Sequence, residues 1–147
     1  MKVLIVFDSM YGNTEALAKA VAAAIGGDVR LSRPGEADLS TLAGLDLLVV
    51  GAPVHGGRPM PSVQAFLDRL PALQGLRVAV FDTRLTSRFV KVFGYAAERA
   101  AASLKDKGAI LVSAPEGFLV AGKKGPLKEG ELERAVGWAR SLSELMK

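Results

Sequence analysis

The chain has no cysteine. That excludes disulfides, thiolate metal sites and cysteine nucleophiles. It has no apolar run of the length needed to span a bilayer. It also lacks internal repeats and low-complexity linkers, and half of its 147 residues are apolar, so global disorder is excluded. Its length suits one domain with a real core. An acidic excess is missing too, because 19 Lys and Arg outweigh 15 Asp and Glu, for a net charge of +4. Nothing in the sequence calls for a nucleic-acid partner or membrane insertion. The opening Met1–Phe7 has strand character, Asp8 interrupts its apolar run and no small-residue cleavage site follows. The cytoplasm is the expected compartment.

What is present is an alternation of apolar runs and amphipathic segments. Lys2–Phe7, Leu45–Val50 and Arg77–Phe81 read as buried parallel strands, and Asp28–Leu31 as a short edge strand. Ala109–Val112 is a fifth strand, broken at Ser113–Gly117 and resuming at Phe118–Val120. Helical spacing is predicted from Thr14 to Ile25, from Pro61 or Ser62 to Leu70, through Ala96–Leu104, and along Leu132, Ala135, Val136, Ala139, Leu142 and Met146. Glu36–Gly44 is at most a short helix. The pattern predicts an α/β three-layer sandwich, a five-stranded parallel sheet with helices on both faces. The order 2-1-3-4-5 fits, with a crevice beyond the C-terminal ends of strands one and three.

The first strand runs into Ser9-Met10-Tyr11-Gly12-Asn13-Thr14-Glu15 at the start of the first helix. A strand that turns into a helix leaves backbone N–H groups unpaired and points the positive end of the helix dipole at the turn. A phosphate suits such a place. Ser9, Asn13 and Thr14 add side-chain donors, and Gly12 permits close backbone approach. The same residues also suit an ordinary helix cap.

Asp8-Ser9-Met10-Tyr11-Gly12-Asn13-Thr14-Glu15 resembles the phosphate loop of flavodoxins, and its Ser-Met-Tyr-Gly variant resembles that of the flavodoxin-like quinone reductases. Both groups bind flavin mononucleotide (FMN), and the resemblance in element order extends over nearly the whole chain. It implies three FMN-binding segments, residues 8–14, 52–60 and 82–93. In the first, Tyr11 lines the ribityl chain, packs on the ring, or covers the helix start. In the second, Pro53-Val54-His55-Gly56-Gly57, the resemblance places a peptide flip at His55-Gly56-Gly57 that offers a carbonyl to flavin N5–H after one-electron reduction. A glycine-rich turn without a redox role is the alternative. This loop lacks the aromatic residue that many flavodoxins stack on the ring, which leaves His55 to stack or the ring more exposed. The third segment, with Asp82, Thr83 and Arg84, is expected as a loop at the pyrimidine edge, where Phe89 or Phe93 stands in for the usual tyrosine.

Arg58, Arg84 and Arg88 carry positive charge toward the expected ring site, which would favour an anionic reduced flavin or hold a phosphate of NADPH. Gly117–Lys124 has the spacing of a nucleoside-triphosphate loop, but Lys124 stands where Ser or Thr must hold magnesium, so it reads as a surface loop. Trp138 reads as packing.

The resemblance implies an electron-transfer protein that shuttles electrons through non-covalently bound FMN, with no catalytic acid or nucleophile. Its partner would be a redox protein or an NAD(P)H-linked reductase. An NAD(P)H-dependent flavin or quinone reductase is the second function, favoured by the Ser-Met-Tyr-Gly loop and the arginines. A flavin-free binding or regulatory module is the third, favoured by the missing aromatic. The positive charge departs from the acidic flavodoxin pattern and from its usual basic partners.

Overall fold

The computed structural model describes residues 1–55, 58–85 and 96–147. Strand β1 (Lys2–Phe7) leads through the Ser9–Gly12 turn into helix α1 (Asn13–Ile25), and β2 (Asp28–Ser32) follows. Two 3₁₀ segments, Pro34–Glu36 and Leu39–Gly44, replace the short helix expected there. Then come β3 (Leu47–His55), β4 (Arg58–Pro59), α2 (Pro61–Arg69), β5 (Arg77–Leu85), α3 (Ala96–Asp106), β6 (Ile110–Leu111), β7 (Glu116–Val120) and α4 (Glu131–Leu145).

The parallel sheet has the order β2-β1-β3-β5-β6, with β7 also paired to β5 and the short β4 antiparallel to β3. Counting β6 and β7 as the broken fifth strand, this is the expected 2-1-3-4-5 order. Alternate residues of each strand point to opposite faces. Leu4, Val6, Leu48, Val50, Val78 and Val80 face α2 and α3, where Val63, Phe66, Leu67, Ala97, Ala101 and Leu104 meet them. On the other face Val3, Ile5, Phe7, Leu47, Val49 and Phe81 pack under α1 and α4, against Leu17, Val21, Ala135, Ala139 and Leu142. Trp138 belongs to this second core and meets Phe81 and Phe118 edge-on at 5.8 and 6.0 Å. Leu132, expected on the inner stripe of the last helix, is exposed, and the buried face of α4 is Ala135, Trp138, Ala139 and Leu142.

Two strands run further than their apolar stretches. β3 continues through Pro53 to His55, and β5 through Asp82, Thr83 and Arg84 to Leu85. Asp82, Thr83 and Arg84 were expected in a loop and instead lie in a strand. Their extended backbone is held from both sides, by Ala52↔Asp82 and Pro53↔Thr83 toward β3 and by Asp82↔Gly117, Thr83↔Phe118 and Arg84↔Leu119 toward β7. Ladder partners on both edges outweigh the polar side chains of this stretch. No helix among the described residues is long and apolar enough to cross a membrane.

Candidate functional site

The winding of the sheet reverses between β1 and β3, since β2 lies beyond β1 on one side and β5 beyond β3 on the other. A crevice outside the C-terminal ends of these strands follows from that topology. The turn after β1 stands at this edge. Gly12 takes a left-handed conformation with φ of 92° and begins α1, and Ala16 donates the first helical hydrogen bond to the Gly12 carbonyl at 3.0 Å.

Within the turn, Ser9 N–H donates to Asp8 Oδ1 at 2.8 Å and Gly12 N–H to Ser9 Oγ at 3.0 Å. The backbone N–H groups of Met10, Tyr11, Asn13, Thr14 and Glu15 find no acceptor among the described residues. Such a cluster of orphan donors at the positive end of a helix is complementary to an anion, and to a phosphate in particular. The Met10 and Tyr11 side chains beside it are exposed.

The side chains of the loop are committed differently from the expectation. Thr14 is buried and its hydroxyl meets that of Thr83 at 3.0 Å, so it joins the start of α1 to the end of β5. Asn13 Nδ2 donates to the Lys124 carbonyl at 3.3 Å. The Ser9 hydroxyl accepts from Gly12 N–H and keeps its own hydrogen, whereas the Asn13 amide and the Thr14 hydroxyl are each held by a distant partner. The backbone N–H groups are therefore the larger part of the donor set facing an anion.

Asp8 closes β1 beneath the turn. Burial is the largest single influence on its carboxyl and pushes its pKa up. Hydrogen bonds from Ser62, the Ser9 N–H and Arg33, with the Arg33 charge, outweigh that and hold the pKa below the ordinary carboxylate value. Arg33 reaches Asp8 Oδ1 at 2.9 Å and Glu15 Oε1 at 3.2 Å, and stacks over the Phe7 ring at 4.7 Å. Sequence reasoning passed over Arg33, because its partners are 25 and 18 residues away.

On the β5 side, Asp82 is fully buried and Arg84 grips it as a fork, Nε to Oδ1 at 2.7 Å and Nη2 to Oδ2 at 2.8 Å. Asp82 Oδ2 also accepts the Ala97 N–H at 2.8 Å, near the start of α3. Arg84 reaches Glu98 as well, at 3.3 Å. Desolvation dominates at Asp82 and raises its pKa, against the lowering influence of Arg84 and the Ala97 N–H. Arg84 was expected to bring positive charge to a ring; its charge is instead engaged with two carboxylates.

Pro53 and Val54 are half-buried at the end of β3, and Val54↔Pro59 and His55↔Arg58 form an antiparallel pair. The structure thus brings residues 9–14, Pro53–His55 and Asp82–Arg84 to the C-terminal edge of neighbouring strands. Gly56, Gly57 and residues 86–95, with Arg88, Phe89 and Phe93, lie outside the described residues.

A family model for flavodoxin matches residues 5–138. The chain belongs to the flavodoxin family. Solved flavodoxins share its fold over nearly their whole length. A flavodoxin from the domain Archaea is 23% identical with a TM-score of 0.82, covering 99% of each chain. Oxidised Flavodoxin 2 from Bacillus cereus is 25% identical with a TM-score of 0.79, covering 98% of this chain and 99% of its own. The two-electron reduced flavodoxin of Megasphaera elsdenii is 25% identical with a TM-score of 0.72, covering 95% and 98%. No curated protein matches the sequence.

Proposed function

We propose that this flavodoxin binds FMN without a covalent bond and carries electrons between partner proteins, with its 147 residues acting as one domain. The observation that carries the reading is the set of five backbone N–H groups, at Met10, Tyr11, Asn13, Thr14 and Glu15, that find no acceptor among the described residues. They offer a phosphate monoester what it needs at the end of a flavin side chain. Ser9, Met10, Tyr11, Gly12, Asn13 and Thr14 form the phosphate end of the proposed site. Pro53, Val54, His55, Gly56 and Gly57 supply one side of the ring site, and Asp82, Thr83 and Arg84 the other. The bound flavin supplies the redox chemistry, while the protein supplies position and electrostatics.

Within this site Thr14 and Thr83 couple the phosphate end to the ring side through one hydroxyl pair, and Asp82–Arg84 fixes the end of β5. The chain needs no acid or base of its own for such a role. That solved relatives are described as oxidised and as two-electron reduced supports an electron carrier.

The test is a comparison of two kinetic behaviours of the FMN-loaded protein. An electron carrier takes electrons from light-driven photoreduction and returns them to an external acceptor, with no sustained oxidation of NADPH by a quinone. Multiple turnovers of NADPH and quinone would instead make it a reductase, the reading that the Ser-Met-Tyr-Gly sequence favours.

A further inference from the structure

The loop between β7 and α4 approaches the start of α1. Ala121 N–H donates to the Pro126 carbonyl at 2.8 Å, Gly125 N–H to Gly122 at 2.9 Å, and Lys128 N–H to Leu119 at 2.9 Å, so the loop folds back on itself. Its Lys124 carbonyl takes the Asn13 side chain at 3.3 Å. Gly125 lies so close that a Cβ there would stand 2.6 Å from Asn13 Nδ2 and Oδ1. The first residue of α1 is therefore packed on this loop, although 111 residues separate the bonded pair.

Lys123 and Lys124 sit at the tip, both exposed and neither in an ion pair among the described residues. Among the described residues, the ion-paired groups already beside the phosphate loop carry no net positive charge. Asp8 and Glu15 share Arg33, and Lys19 stands 4.0 Å from Glu15 on the exposed side. A phosphate dianion held on the backbone donors would thus meet two carboxylates whose charge is only matched. Among the described residues, the tethered loop adds positive charge in excess beside this turn.

We propose that residues 121–127 form a fourth segment of the cofactor site, with Lys123 and Lys124 as countercharges to the ligand's phosphate. Lysine suits this role as a mobile point charge that needs no fixed fork. The loop would act as a specificity element, selecting the phosphorylated flavin over the unphosphorylated one. The inference rests on the FMN reading and extends it to residues outside the three segments.

The experiment measures dissociation constants for FMN and for riboflavin, on the wild type and on K123Q/K124Q, at two salt concentrations. The double substitution should weaken FMN by about tenfold, the scale of a charge-assisted contact. Riboflavin binding should stay unchanged, and the salt dependence of FMN binding should flatten. An unchanged ratio of FMN to riboflavin affinity would overturn the proposal. Inorganic phosphate is a second probe that needs no flavin. It should raise the Tm of the wild type more than that of K123Q/K124Q; equal shifts would count against the lysines. A wild type that binds neither flavin yet shows the phosphate difference would overturn the FMN reading and leave the anion site standing.

Discussion

Replacing Arg84 with Met lowers folding stability by about 3–5 kcal/mol, the cost of leaving a buried charge without its partner. Asp82 is fully buried and holds the Arg84 fork through both oxygens. Its remaining donor is the Ala97 N–H, too little to compensate an ionised carboxylate in the core. R84K keeps the charge but loses the fork, so it should fall between the two. Combining R84M with Asp82→Asn should recover part of the loss, because the stranded charge is then gone. Urea unfolding of the four proteins reads this directly. A loss of about 1 kcal/mol or less in R84M would mean that the pair contributes no more than an exposed one.

The same pair sets a pH dependence. The folded Asp82 pKa lies above the ordinary carboxylate value of 3.8. Folding therefore takes up a proton between the two values, and this group's contribution to stability falls as pH rises from about 3.8 through the folded pKa. Without Arg84 the folded pKa moves higher. The deficit of R84M should be smaller in acid than at neutral pH, and it should grow across that widened window.

Gly51→Ala should cost about 2–3 kcal/mol through overpacking. For a chain of this length that is a fall in Tm of roughly 5–10 °C. Gly51 lies between Phe7 and Phe81 in the ladder, and the Phe81 ring covers it. A Cβ at this position would stand 2.3 Å from Phe81 Cζ and 2.6 and 2.7 Å from the two Cε atoms. The ring has little room to retreat, because Phe118 and Trp138 hold it edge-on at 6.0 and 5.8 Å. F81L alone should destabilise by opening a cavity. In the double variant the two penalties should be well below additive, since the smaller side chain vacates the space that alanine needs. Strict additivity in thermal or urea unfolding would contradict the contact.

The strands and their order were legible because apolar runs such as Val3–Phe7 and Leu47–Val50 are buried on both faces, which leaves a strong continuous signal. The ends of β3 and β5 were not. Asp82-Thr83-Arg84 reads as a loop by composition, and what makes it a strand is a second ladder from β7 and an ion pair that makes the carboxylate tolerable inside. The turn from Ser9 to Thr14 was legible as a local strand–turn–helix signal. Its side-chain roles were not, because Thr14 pairs with Thr83 and Asn13 with Lys124, partners 69 and 111 residues away. Gly117–Lys124 reads as a surface loop, yet Gly117–Val120 belongs to β7 with Phe118 fully buried, and the place of Ala121–Lys124 depends on how the turn after β7 closes, which no local pattern records.

If the turn from Ser9 to Thr14 holds the phosphate of FMN, the purified protein keeps the flavin through desalting. Its visible absorption spectrum, recorded after addition of FMN and desalting, should then show flavin bands at about one equivalent per chain. A colourless protein that releases all added FMN would contradict that role of the turn and leave this flavodoxin fold as a binding module without a flavin.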